Sequence, residues 1–174
     1  MSFHIRLGLP LLGALLVTAC GGSGGTVSGG DGPPAVISES PLQVTGAEQT
    51  IEMAFSNPGG LDKILIVQMM IAPNLTTPNS CWMEYGVVDG AVKMMDGSGK
   101  GKAGEAGTLS NSRCSIDPAQ VKHTVNGTTL KVSVPVRLTP AVLENQNIFA
   151  LASAASQHSG WHQVGTWTRE AAAK

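Results

Sequence analysis

Between Thr128 and Leu138 the chain repeats with a period of two. Leu130, Val132, Val134, Val136 and Leu138 fall on one side, and Lys131, Ser133, Pro135 and Arg137 on the other. Successive side chains of a strand point to opposite faces, whereas a helix buries positions three and four apart, so this stretch is a half-buried strand. Ile51, Met53 and Phe55 repeat the pattern over Thr50–Ser56. Lys63–Ile71 is almost continuously apolar and reads as a central strand covered on both sides. Asp89-Gly90 separates Cys81–Val88 from Ala91–Met95, and Asn126-Gly127 separates Val121–Val125 from the long strand. Both dipeptides predict type I′ hairpins. Asn147–Ala155 and Trp161–Thr168 supply two closing strands. About seven short strands with turn signals between them predict an all-β sandwich. Asn57–Gly60 reads as a turn, Thr139-Pro140 as the start of a single helical turn, and Asp96–Gly107 as a mobile glycine- and lysine-rich loop. Pro135 cannot donate to a ladder, which predicts a free strand edge beside it.

The first 34 residues follow different rules. Arg6 precedes the apolar run Leu7–Val17, which is about half the ~20 residues a membrane span needs. A charge, a short apolar core and small residues form a secretory signal. Val17-Thr18-Ala19-Cys20 resembles the lipobox of bacterial lipoproteins. That resemblance implies cleavage before Cys20 and acylation of its thiol and new amine by chains such as palmitate. It also implies retention in the cell envelope. Gly21 rather than Asp after the cysteine points, by the same resemblance, to the outer membrane, on its periplasmic or surface face. Residues 20–34 then form a lipidated cysteine and a Gly/Ser tether with a reach of ~20 Å. Residues 35–168 form the folded domain, and residues 169–174 (Arg169 to Lys174) a short helix-forming tail.

With Cys20 lipidated, Cys81 and Cys114 remain. Export places them in an oxidising compartment, where a disulfide is expected. The chain has no CxxC, and no histidine lies near either cysteine in sequence, so a two-cysteine metal or redox site is the weaker reading.

Three segments carry a second resemblance: Ala106-Gly-Thr-Leu-Ser-Asn-Ser-Arg-Cys114, Asn147-Ile-Phe149 and Ser159-Gly-Trp-His-Gln-Val-Gly-Thr-Trp-Thr168. They are similar to an immunoglobulin-like or fibronectin-III-like module of secreted bacterial proteins. The resemblance covers about residues 35 to 168 and departs from the module between Asp96 and Glu105. It implies an immunoglobulin-like β-sandwich and brings no catalytic residues.

Several chemistries fail on inspection. Gly97-Ser-Gly-Lys-Gly-Lys102 has the wrong glycine spacing for a phosphate loop, and Ala103 stands where Ser or Thr is required. His158 and His162 are four apart on a strand-like stretch, which separates them by ~13 Å and prevents a shared metal. His123 reads as an ordinary surface or partly buried histidine. The acids Asp62, Glu84, Asp89, Asp96, Glu105 and Asp117 are scattered, with no calcium loop and no GxSxG elbow. Met69-Met70 and Met94-Met95 read as core filling. Net charge is −1 without a basic run, so nucleic acid is not an expected partner. No catalytic residue, metal or cofactor is expected.

These readings converge on a membrane-anchored, non-catalytic binding or structural module. Its partners would be the membrane, through lipid, and an envelope protein or glycan. Trp82, Tyr85 and Trp161 are candidate contact aromatics. Lys100 and Lys102 are candidate contact cations, because loops carry function on rigid scaffolds. A carbohydrate-binding module would need two coplanar exposed aromatics. An accessory subunit of an envelope complex would need an apolar patch or an open edge. A hydrolase would need polar groups converging in a pocket.

Overall fold

A computed structural model describes residues 32–37, 42–76, 78–103, 107–142 and 145–168. Cys20, the signal, most of the tether and the 169–174 tail lie outside the described residues. The folded part is all-β, with two sheets facing one another. The described residues form thirteen strands rather than about seven. They are β1 (Ala35–Ile37), β2 (Leu42–Thr45), β3 (Glu48–Ser56), β4 (Ile66–Ala72), β5 (Cys81–Gly86), β6 (Val92–Met95) and β7 (Gly101–Ala103). β8 (Leu109–Ser110), β9 (Cys114–Ile116), β10 (Lys122–Asn126), β11 (Thr129–Leu138), β12 (Gln146–Ser153) and β13 (His162–Thr168) follow. The number is higher because short strands that were not expected (β1, β2, β7, β8 and β9) add to the expected ones.

One sheet runs β1-β3-β11-β9-β8, with β10 also paired to β11; the other runs β2-β13-β12-β4-β5-β6-β7. In immunoglobulin letters the first is A-B-E-D, and the second is G-F-C-C′-C″ with β2 lying parallel beside G. This is an immunoglobulin-like sandwich of variable type. β9 and β10 are two halves of one D strand, pairing with opposite ends of β11 and interrupted by a 3-10 turn at Pro118–Gln120.

Alternation fixes which side chains meet between the sheets. Ile51, Met53 and Phe55 of β3 and Leu130, Val132, Val134, Val136 and Leu138 of β11 face Met69, Ile71, Met83, Ile148, Ala150 and Trp167 in one core. Trp167 is fully buried, and its indole N–H donates to the Gly46 carbonyl at 2.7 Å. That bond holds the bend where the chain leaves β2 in one sheet and enters β3 in the other. The disulfide Cys81–Cys114 joins β5 to β9 across the sandwich, with a Cα–Cα distance of 5.5 Å.

Several local expectations are corrected. Asp96–Gly107 is not one loop: β6 and β7 form a hairpin, closed by Gly97-Ser98-Gly99. Asp96 Oδ1 accepts from the Ser98 and Lys100 amides and the Ser98 hydroxyl, and Gly99 takes φ 79°. A three-residue hairpin ending in a left-handed glycine is a common solution. Pro135 has the open stretch expected beside it: β3 runs along one side, with Pro135 opposite Thr50, and on the other side Pro135 falls in the gap between the β10 and β9 pairings, inside the sheet rather than at its margin. Neither Asx-Gly turn is type I′, which needs two left-handed residues, because only Gly90 and Gly127 have positive φ. β5 ends at Gly86 and Gly90 closes a longer loop, whereas Gly127 takes the first position of a II′-like turn. Thr139-Pro140 opens a single turn, as expected, closed by the Val142 N–H donating to the Thr139 carbonyl at 3.1 Å. Lys63 belongs to a 3-10 turn, so the central strand starts at Ile66.

Candidate functional site

The outer face of the seven-stranded sheet departs from the polar surface usual for a sandwich. Pairing registers place Phe149 of β12, Met70 of β4 and Trp82 of β5 in one row. Met70, Ala72 and Phe149 are 2%, 1% and 7% exposed and form a cluster separate from the main core, with Trp82 and Trp161 packed on it. β4 is therefore covered on both sides as expected, its second cover being the two tryptophans. Their ring centroids are 6.2 Å apart and their planes cross at 72°, an edge-to-face contact.

Each tryptophan is placed by local chain geometry. Cys81 and Met83 point inward, so Trp82 between them points outward. Trp161 is delivered by the turn before β13. The Ser159 amide donates to the Ala152 carbonyl at 2.9 Å, and the Ser159 hydroxyl accepts from the Ala152 amide at 3.0 Å. The Gly160 amide donates to His158 Nδ1 at 3.1 Å, and Gly160 adopts φ 76°, open to glycine. This wrap lays the indole back onto the Phe149 floor. His158 and His162 thus serve one turn separately, His162 Nε2 lying 2.9 Å from the Ser159 carbonyl oxygen.

The next row of the same face is polar. Gln68 Nε2 donates to Glu84 Oε2 at 2.9 Å, and Lys93 Nζ donates to Glu84 Oε1 at 3.1 Å. On its far side Trp82 meets the β6–β7 hairpin, where a Cβ on Gly99 would stand 3.7 Å from Cη2. The Trp82 indole N–H is buried and has no hydrogen-bond partner among the described residues.

Behind the hairpin, where the two sheets part, a cleft of about 400 Å³ is lined by Asn79, Met94, Asp96, Lys102, Leu109, Asn111 and neighbours. Asn111 closes its back. Its Nδ2 donates to the Ser80 carbonyl at 3.0 Å, and its Oδ1 accepts from the Arg113 and Cys114 amides at 2.8 and 3.0 Å. That side chain and the disulfide clamp the same two segments. The Ser98 hydroxyl, with the Lys100 amide, holds the Asp96 carboxyl below its ordinary range.

The expected site residues therefore separate. Trp82 and Trp161 come together on the sheet. Lys100 lies in the hairpin turn and Lys102 at the cleft, both exposed. Cys81 and Cys114 are bonded. Tyr85, expected among the contact aromatics, is 4% exposed and belongs to the core. Its hydroxyl lies 2.6 Å from Nδ1 of His123, linking β5 to β10. Burial, with Asp89 adding to it, pushes the Tyr85 phenol up. Sequence reasoning missed the Met70–Phe149 floor, since strand register decides which residues share a row. It also missed Asn111 and Ser159, whose cue was position: each opens a tight turn at the mouth of a strand.

Among the described residues, no group of three or more His, Cys, Asp or Glu side chains is placed to hold a metal ion. No family model and no curated protein matches the chain. Among solved structures it is similar to the swine CD8aa homodimer, at 9% identity and a TM-score of 0.37, over 80% of this chain and 100% of that one. That likeness is too weak to argue from, and the immunoglobulin-like assignment rests on the strand order above.

Proposed function

We propose that this is a lipid-anchored extracytoplasmic protein of the cell envelope whose sandwich is a non-catalytic binding module. Its contact surface is the outer face of the seven-stranded sheet around Trp82 and Trp161, continued by the β6–β7 hairpin. The observation that carries this reading is the pair of partly exposed tryptophans on a buried apolar floor, on the solvent side of a sheet. Solvent-side aromatics seated on a rigid floor suit protein contacts, where tryptophan is over-represented among dominant residues. The floor and the Ser159 turn fix both rings before binding, which lowers the ordering cost.

The acids of the described region support a non-catalytic role, because they are committed to local structure. Glu84 serves Gln68 and Lys93, Asp96 the hairpin turn, and Asp117 the 3-10 turn. Glu48 and Glu52 pair with Arg137 and Lys131. The 72° angle between the indoles gives no shared plane for a sugar ring, so an envelope protein is favoured over a glycan. The anchor reading rests on the Val17–Cys20 motif and the glycine-rich stretch after it.

Two substitutions test the two halves. Cys20→Ala should abolish labelling by a fatty-acid probe; unchanged labelling would refute the anchor. Trp161→Ala should weaken partner capture in intact cells by about 30-fold, the equivalent of a ~2 kcal/mol interface residue. Lys131→Ala, on the opposite sheet, should leave capture unchanged. Equal effects of the two would refute the assigned face.

A further inference from the structure

Four large apolar side chains are exposed among the described residues: Leu65 (39%), Leu75 (48%), Val88 (79%) and Val125 (61%). Single exposed apolar residues need no explanation, but three of these share one end of the sandwich. Leu65 immediately precedes β4, and Val88 lies in the turn between β5 and β6. Val125 pairs with Leu130, which pairs with Phe55 near the end of β3. Ala35, the first residue of β1, pairs with Ser56 at that same end. The amino-terminal segment therefore enters the domain at the end that carries these three exposed residues. Leu75 follows β4 and lies at the opposite end.

The patch is continuous with the entry point. The Val87 amide donates to the Leu65 carbonyl at 2.9 Å, and Leu65 and Val88 line one concavity of about 300 Å³. Leu65 also lines the adjoining depression together with Gly32, the last described residue toward the tether. Charges here nearly cancel: Asp62 pairs with Lys63 at 3.5 Å and Glu84 with Lys93 at 3.1 Å, which leaves the Asp89 carboxylate, an acceptor from the Ala91 amide, as one net negative charge.

We propose that this end of the domain rests on the phospholipid surface, with Leu65, Val88 and Val125 inserted at the boundary of headgroups and acyl chains. The inference rests on the anchor reading of Cys20. A Gly/Ser-rich stretch as short as that between Cys20 and Gly32 has a typical end-to-end distance of ~20 Å, so a lipidated Cys20 would hold this end near the bilayer. Tethering makes the lipid contact effectively intramolecular, so a small apolar patch suffices where it would not bind from solution. The near-neutral charge, without a basic cluster, fits a zwitterionic surface and a contact made by apolar side chains that depends little on salt. The docked orientation turns the cleft at Asn79 and Asn111 away from the bilayer and holds the tryptophan face upright. The tether then limits distance while the loop tips set orientation.

The test uses the full lipidated protein in dioleoylphosphatidylcholine vesicles containing doxyl-labelled lipid quencher. A fluorophore is placed at Val88→Cys or, as the opposite-end control, at Leu75→Cys; both sites are exposed, so the fold should tolerate them. The expected result is quenching at position 88 at least threefold greater than at position 75, unchanged by 0.5 M salt. Equal quenching at both positions would show free rotation on the tether and overturn the proposal. Absence of quenching at both, with the protein still floating with the vesicles, would overturn it too and leave the patch to a protein partner. Failure to float, together with loss of fatty-acid labelling, would instead overturn the anchor reading and this inference with it.

Discussion

Tyr85 is the only tyrosine in the chain, which makes it a spectroscopic reporter of its own site. Its phenol is pushed up by burial and by Asp89, so the folded protein holds the proton more tightly than the unfolded chain. A raised folded value stabilises fully below the unfolded value, near pH 10, and that stability is lost as pH rises through the folded value. The tyrosinate absorbance of native protein should therefore titrate above the midpoint seen in guanidinium, and coincident midpoints would contradict the burial. Asp96 has the opposite sign. Its carboxyl is held down by Ser98 and Lys100, so the turn is intact above the ordinary aspartate range and loosens as pH falls through the lowered value. Hydrogen exchange at the Lys100 amide should accelerate in Asp96→Asn at neutral pH, while amides of β11 stay protected. Breaking the Cys81–Cys114 bridge, whose partners are 33 residues apart, should cost roughly 3–4 kcal/mol in urea unfolding.

At the scale of elements, β2 depends on a glycine. A Cβ on Gly165 would overlap the Leu42 carbonyl oxygen and stand 2.7 Å from Leu42 Cβ, where β2 runs parallel to β13. Gly165→Ala should destabilise the domain by about 1–3 kcal/mol, measured by thermal melting; an unchanged melting temperature would mean that β2 does not pack this closely. Long strands were legible because their alternation is local. β11, β3 and β12 fall where the apolar pattern places them, and compartment alone was enough to pair the two cysteines. The short edge strands were not legible. β7 (Gly101–Ala103) and β8 (Leu109–Ser110) are two or three residues long and contain glycine, lysine and serine, and their conformation comes from a neighbour's ladder rather than their own propensity. Pro135 was legible as an unpaired position, but one residue does not tell that its missing donor marks a gap between two half-strands rather than the margin of the sheet. At the candidate site, Trp82 and Trp161 were readable as aromatics. Their meeting across Phe149 and Met70 depended on register, and Tyr85 sank into the core by the same alternation that turned Trp82 outward.

At the scale of the molecule, the surfaces divide as proposed: the entry end would meet lipid and the outer face of the seven-stranded sheet a partner, while the disulfide and Asn111 clamp the segments behind the cleft. β3 and β11 supply the scaffold behind that face, and their outward residues Glu52 and Lys131 form an ordinary exposed ion pair at 3.0 Å. Such a pair contributes little to stability or binding. The two outer faces therefore differ in kind, one apolar and preorganised, the other charged and solvated. The most direct test of this division is site-specific photocrosslinking in intact cells, with the crosslinker placed in turn at Gln163, Lys100, Glu52 and Lys131. The account predicts adducts of one common mass from Gln163 and Lys100 and none from Glu52 or Lys131. Adducts confined to Glu52 and Lys131, or no adduct at any of the four, would contradict it.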